Sequence, residues 1–137
     1  MTRSSTRGNL VGEMKTDFLN ILIDQKEILF LENPKEISRQ LRVVPFLKKA
    51  TVLTGIRRSG KSTLLRQLCR KDIGSTLYVS FFDERLVGVE AKDLNYLLEA
   101  FSQITNGESP RIIILDEIQV VRGWEKFATR LLENQKW

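Results

Sequence analysis

The sequence contains no histidine and a single cysteine, Cys69. The first absence excludes His-ligated metal centres and a histidine general base. The second excludes an internal disulfide and suits a reducing compartment. No apolar run approaches the length of a membrane span. The opening stretch, Met1 to Lys15, is polar and lacks the continuous apolar segment of a signal peptide. A cytoplasmic protein is expected, with no membrane partner. There is no internal repeat or low-complexity tract. Cys69 falls on the apolar side of a helical stretch, so it reads as a small buried residue rather than a reactive thiol.

What is present is a chain of 137 residues, 42% hydrophobic and 28% charged, long enough for one domain with its own core. The net charge of +5 is unevenly placed. Residues 35–71 hold eleven Lys/Arg against one acid, whereas residues 72–110 hold seven acids against two bases. A basic block attracts polyphosphate or nucleic acid. Solvated surface is the plainer reading for Lys35, Arg42, Lys48, Lys49, Arg70 and Lys71.

The block surrounds the most informative stretch, T-V-L-T-G-I-R-R-S-G-K-S-T at residues 51–63. Gly55, four intervening residues, then Gly60-Lys61-Ser62 is the phosphate-binding P-loop pattern. The glycines permit backbone angles that a Cβ resists, and they let the chain approach a ligand closely. The N–H groups of Gly55, Ile56, Arg57, Arg58, Ser59, Gly60, Lys61, Ser62 and Thr63 then form an anion cradle at a helix N-terminus. Lys61 supplies charge to the β/γ-phosphates, and the Ser62 hydroxyl is a Mg²⁺ ligand. The plain alternative is a Gly-rich turn before an ordinary helix.

Taken in order, residues 1–15 read as a flexible lead-in, 16–50 as a helical segment and 51–137 as a partial nucleotide-binding core. Phe18, Leu22 and Leu29 share one helical face, although the dense I-L-F-L run also suits a strand. Asn33-Pro34-Lys35-Glu36 starts a further helix, with Ile37, Leu41 and Val44 on one side. Val52-Leu53 is a short strand leading into the loop. Leu64, Leu65, Leu68 and Cys69 mark the helix after it, stopped at Asp72-Ile73-Gly74-Ser75. Thr76 to Phe82 is a β-branched and aromatic strand. Leu94, Leu97, Leu98, Phe101 and Ile104 form a helical face ended by Asn106-Gly107. Ile112 to Leu115 reads as a strand buried on both faces. Trp124, Phe127, Ala128 and Leu131 mark a last helix. Strand and helix alternate, which predicts an α/β fold, three layers α/β/α around a parallel sheet.

Asp116-Glu117 ends the last strand, and in such sheets ligands bind beyond the strands' carboxyl ends. The acid at the strand tip, Asp116, reaches the Mg²⁺ held by Ser62, usually through metal-bound water. Glu117, one residue on, orients or deprotonates the attacking water. Helix capping or a solvated turn is the alternative for this pair. Arg57 and Arg58 contact phosphate, a neighbouring subunit, the protein's own acids or simply solvent. Asp83 reads as a turn or cap residue. Gln119 suits a pocket or partner surface, and Trp124 core packing.

G-I-R-R-S-G-K-S-T-L-L together with L-D-E-I-Q-V-V-R-G-W-E resembles the predicted AAA+ superfamily ATPases that carry a C-terminal domain of unknown function. I-D-Q-K-E (Ile23 to Glu27) also resembles their N-terminal segment, so the likeness spans most of residues 20–133. The resemblance implies a Mg²⁺-dependent ATPase using Lys61, Ser62, Asp116 and Glu117 in the roles above. It implies a truncated AAA+-like core as well. Family members continue into a sensor strand, an arginine finger, a helical lid and a C-terminal domain, so the expectation is an N-terminal piece of a longer protein. Its partners would be nucleotide, further copies of itself or that C-terminal domain. ATP is expected over GTP, because N-K-x-D is absent and the acid strand reads D-E-I-Q rather than D-x-x-G. A P-loop kinase, and a non-catalytic remnant contacting nucleotide or DNA, are the competing readings. No recognisable DNA-binding motif is present.

Overall fold

The structure, a computed structural model, describes residues 5–31, 37, 43 and 49–134. Helix α1 spans Ser5–Phe30. It buries Phe18, Ile21, Leu22, Gln25 and Leu29, a spacing that returns to one face every turn. The helix starts at Ser5, so much of the expected flexible lead-in is helical, and it runs through the stretch that also suited a strand. The helix expected from Asn33 to Val44 lies outside the described residues, apart from Ile37 and Val43.

Helix α2 spans Lys61–Lys71, β1 Thr76–Ser80, α3 Asn95–Ile104, β2 Ile112–Asp116 and α4 Trp124–Glu133. The strands pair in parallel, with Thr76 opposite Ile112 and Ser80 opposite Asp116. Alternation of side chains sorts the strands into two faces. Tyr78 and Ile114 pack with Leu29, Cys69 and the half-buried Leu65 and Leu68 of α2. Leu77, Val79 and Phe81 pack with Leu97, Ala100 and Phe101 of α3 and Phe127 of α4. Helices therefore cover both faces of a small parallel sheet, and the fold is α/β as expected.

Helix α1 closes the free edge of β1. In this register the backbone groups of Ser80 point away from β2, while the next residue, Phe81, donates to the Asp116 carbonyl at 2.9 Å. Gln25 takes the outward groups: its Oε1 accepts from Ser80 N at 2.8 Å and its Nε2 donates to Ser80 O at 3.1 Å. A side-chain amide thus stands in for one residue of a neighbouring strand and removes an open pairing edge. Arg70 of α2 donates to the Leu29 carbonyl at 2.6 Å. It ties α2 to the last turn of α1, where a cation is favourable, and is no mere solvated charge.

Three expectations are corrected. Residues 51–54 form no strand, because no strand among the described residues pairs with them and a lone extended segment cannot satisfy a ladder. Val52 is accordingly 71% exposed. Strand β1 ends at Ser80 rather than at the expected Phe82, since the chain turns there, Asp83 N donating to the Ser80 carbonyl. Finally, β2 is less buried than expected: Ile112 at its start is 37% exposed, and Ile113 and Leu115 are only half-buried.

Candidate functional site

The loop closes on itself through local backbone chemistry. Ser59 N donates to the Ile56 carbonyl at 3.2 Å, making a tight turn. Arg58 and Gly60 occupy the left-handed region, at φ 63° and 87°. That conformation is natural for glycine and strained for arginine. Gly60 is the N-cap of α2, so the helix starts at Lys61 with its free N–H groups facing the loop. Lys61 Nζ donates back to the carbonyls of Gly55 at 2.8 Å and Ile56 at 3.1 Å. A Cβ on Gly55 would lie 3.0 Å from Ser59 Oγ, a tight contact that the serine side chain would have to relieve by moving. The lysine ammonium, the helix start and the curled backbone lie together in one electropositive place. Such a place fits a polyphosphate.

Arg57 and Arg58 are exposed, whereas Ser62 and Thr63 are half-buried in the first turn of α2. Arg66 lies one turn after Ser62 on the same side of the helix. It approaches Tyr78 of β1, where its charge favours the ionised phenol. Tyr78 also meets the strand-end acid. Its hydroxyl donates to Asp116 Oδ2 at 3.4 Å, and Asp116 is only 5% exposed. Tyr78 faces Ile114 in the register, two residues before Asp116, so both project on the α2 side of the sheet. Burial first, then the Asp116 carboxylate, raise the Tyr78 phenol above its ordinary range despite Arg66. It stays a neutral hydrogen-bond donor.

Glu117 leaves the strand in the left-handed region, at φ 59° and ψ 31°. This turns its side chain away from the direction Asp116 takes. Gln119 Nε2 donates to Glu117 Oε2, giving the half-buried acid a fixed partner. Trp124 is half-buried against the core, as expected. Asp83 is the cap of the short turn Glu84–Leu86 and accepts from Arg85 N. Hydrogen bonds from Arg85, more than any other cause, pull its carboxyl down to about 2. Burial pushes the Cys69 thiol up to about 11, so it is inert, as expected.

Ser62 and Asp116 are hard oxygen donors of the kind Mg²⁺ prefers. No group of three or more His, Cys, Asp or Glu side chains converges among the described residues. Ser62 and Asp116 both offer oxygens that Mg²⁺ accepts beside phosphate and water ligands. A cavity of about 20 Å³ lies elsewhere, between Leu22, Leu29, Cys69, Leu77 and Phe101. It is apolar, has room for little more than one water and does not adjoin the loop. Sequence reasoning assigned nothing to Tyr78, Arg66 or Gln25. For Gln25 a signal existed, since an amide occupies a position of the apolar stripe; for Tyr78 and Arg66 there was none.

Comparison with known proteins agrees with this geometry. Residues 47–137 match the model of a family described as AAA domain. An uncharacterized protein of Methanocaldococcus jannaschii is 33% identical over 123 residues, covering 89% of this chain and 27% of that protein. An uncharacterized protein of Haemophilus influenzae is 32% identical over 114 residues, covering 77% of this chain and 27% of that protein. The chain thus spans about a quarter of the length of these relatives. No solved structure matches it. No helix among the described residues is long and apolar enough to cross a membrane. With a matching family model over residues 47–137, two thirds of its length, the chain belongs to the AAA domain family, a family of nucleotide-binding P-loop NTPases.

Proposed function

We propose that this domain binds ATP with Mg²⁺ at residues 55–63 and, within the longer protein, hydrolyses it. The observation that carries the reading is the Lys61 ammonium, held over the Gly55 and Ile56 carbonyls at the start of α2. In that position it pairs with the β/γ-phosphates, while the backbone N–H groups of Gly55 to Thr63 hold the remaining oxygens. Ser62 and Asp116 hold Mg²⁺. Glu117 orients or deprotonates the attacking water, which is transfer by positioning and charge neutralisation rather than covalent catalysis.

The acid directly after the strand-end aspartate favours water over a substrate hydroxyl as acceptor. Mg-ATP binding and hydrolysis measured for the 137-residue chain, Lys61→Ala and Glu117→Gln test the reading. Lys61→Ala should weaken binding by roughly 10- to 100-fold, the loss of charge-assisted hydrogen bonds. Equal binding by Lys61→Ala would overturn the site. Glu117→Gln should retain binding and lose turnover. A Glu117→Gln variant as active as a hydrolysing parent would remove that residue's role.

A further inference from the structure

We infer that Tyr78 is a positioning residue for the metal site, its hydroxyl fixing the orientation in which Asp116 faces Mg²⁺. The inference rests on the reading of Asp116 as a Mg²⁺ partner and extends it to a residue outside both nucleotide motifs.

The arrangement that supports it is a contact built across the sheet. Tyr78 and Asp116 lie on neighbouring strands, one diagonal step apart on the α2 face. The hydroxyl meets Oδ2 at 3.4 Å. Tyr78 is 9% exposed and Asp116 5%. A buried carboxylate needs donors, because an unpaired one is costly. Among the described residues, Tyr78 is the side-chain donor the structure gives Asp116. The tyrosine ring is itself immobilised, packed with Leu29, Cys69 and Ile114. A rigid donor on one carboxylate oxygen leaves the other for the metal, as second-shell groups do for metal-binding carboxylates. The competing explanation is packing alone, with the hydroxyl using Asp116 merely to satisfy itself.

Tyr78→Phe separates the two, because it removes the oxygen and keeps the ring. Binding of a fluorescent ATP analogue to the 137-residue chain is followed against Mg²⁺ concentration and in EDTA, with thermal unfolding as the fold control. In the parent, Mg²⁺ strengthens binding, and Asp116→Asn abolishes that strengthening. Tyr78→Phe should bind the analogue in EDTA as the parent does, while its half-saturating Mg²⁺ concentration rises by roughly 10-fold or more. The double variant Tyr78→Phe/Asp116→Asn should match Asp116→Asn alone, because one residue acts through the other. A Tyr78→Phe variant with the parent's Mg²⁺ dependence overturns the inference and leaves the Asp116 assignment standing. So does full additivity in the double variant. A parent whose binding ignores Mg²⁺, or an Asp116→Asn variant indistinguishable from it, brings down the underlying site and this inference with it.

Discussion

The loop at residues 55–63 and the strand end at Asp116–Glu117 are held in opposite ways. The loop is organised by contacts within its own few residues, the Ser59 turn to Ile56 and the Lys61 bonds to Gly55 and Ile56. Its lead-in is open, with Val52 71% exposed. Asp116 is organised from afar, by the Phe81 amide and the Tyr78 hydroxyl. On the opposite face of the same sheet Val79, Leu94 and Leu97 are fully buried. The phosphate cradle thus needs a backbone pattern, while the acid pair needs a folded sheet. Damage to the core should destroy the acids' placement, and damage to the loop should spare the core.

The largest expected effect tests the first half of that contrast. Leu97 faces the centre of the core with no exposed surface. Leu97→Ala should lower unfolding free energy by about 2–5 kcal/mol, the range for a buried leucine replaced by a cavity, measured by urea denaturation. Next comes Gln25, whose amide bonds both backbone groups of Ser80 and also Asp83. Gln25→Ala leaves the Ser80 N–H and C=O without those partners and should destabilise by about 1–3 kcal/mol. If Gln25→Ala is neutral, α1 covers the β1 edge without stabilising it.

Gly60→Ala addresses the loop. At φ 87° an alanine is strained by about 1–2 kcal/mol. The loop can relax this by changing shape, so nucleotide binding should fall sharply while the urea midpoint moves less than in Leu97→Ala. A variant that unfolds like Leu97→Ala would erase the distinction between local and distant support.

The same contrast explains what was legible in the sequence. The loop, the stop at Asn106-Gly107 and the stripe of α3 are local patterns, so spacing alone located them. The order of helices and strands from residue 61 onward follows from hydrophobic period. Tyr78 and Gln25 act across 38 and 55 residues of sequence, and no local pattern encodes such a partner. Val52-Leu53 carries strand-like side chains, yet a strand is defined by its neighbour, which propensity does not supply. The early start of α1 escaped for a related reason. Its N-terminal turns contain few apolar residues, so they show no period, and helix there continues from the docked part below.

The smallest effect concerns the junction where α1 meets the end of β1. Arg85 bridges Asp24 at 2.6 Å and Asp83 at 2.8 Å, and Asp83 also receives Gln25. These bonds favour the ionised Asp83, whose pKa is lowered to about 2. A depressed folded value means the contribution is complete above the ordinary carboxylate pKa and is lost as pH falls through about 2. Most other acids also titrate in that window, so the parent's acid sensitivity alone proves nothing. The informative quantity is the difference between parent and Asp83→Asn. The two should differ in urea midpoint near about pH 5 and converge near about pH 2, because protonation then does to the parent what the substitution did permanently. Arg85→Ala should show the same convergence, since it removes the main cause of the shift. A gap between parent and Asp83→Asn that stays constant across that window would mean the carboxylate's charge is irrelevant to docking α1. The Gln25 amide would then hold the β1 edge by itself, a local clamp like the one Lys61 makes in the loop.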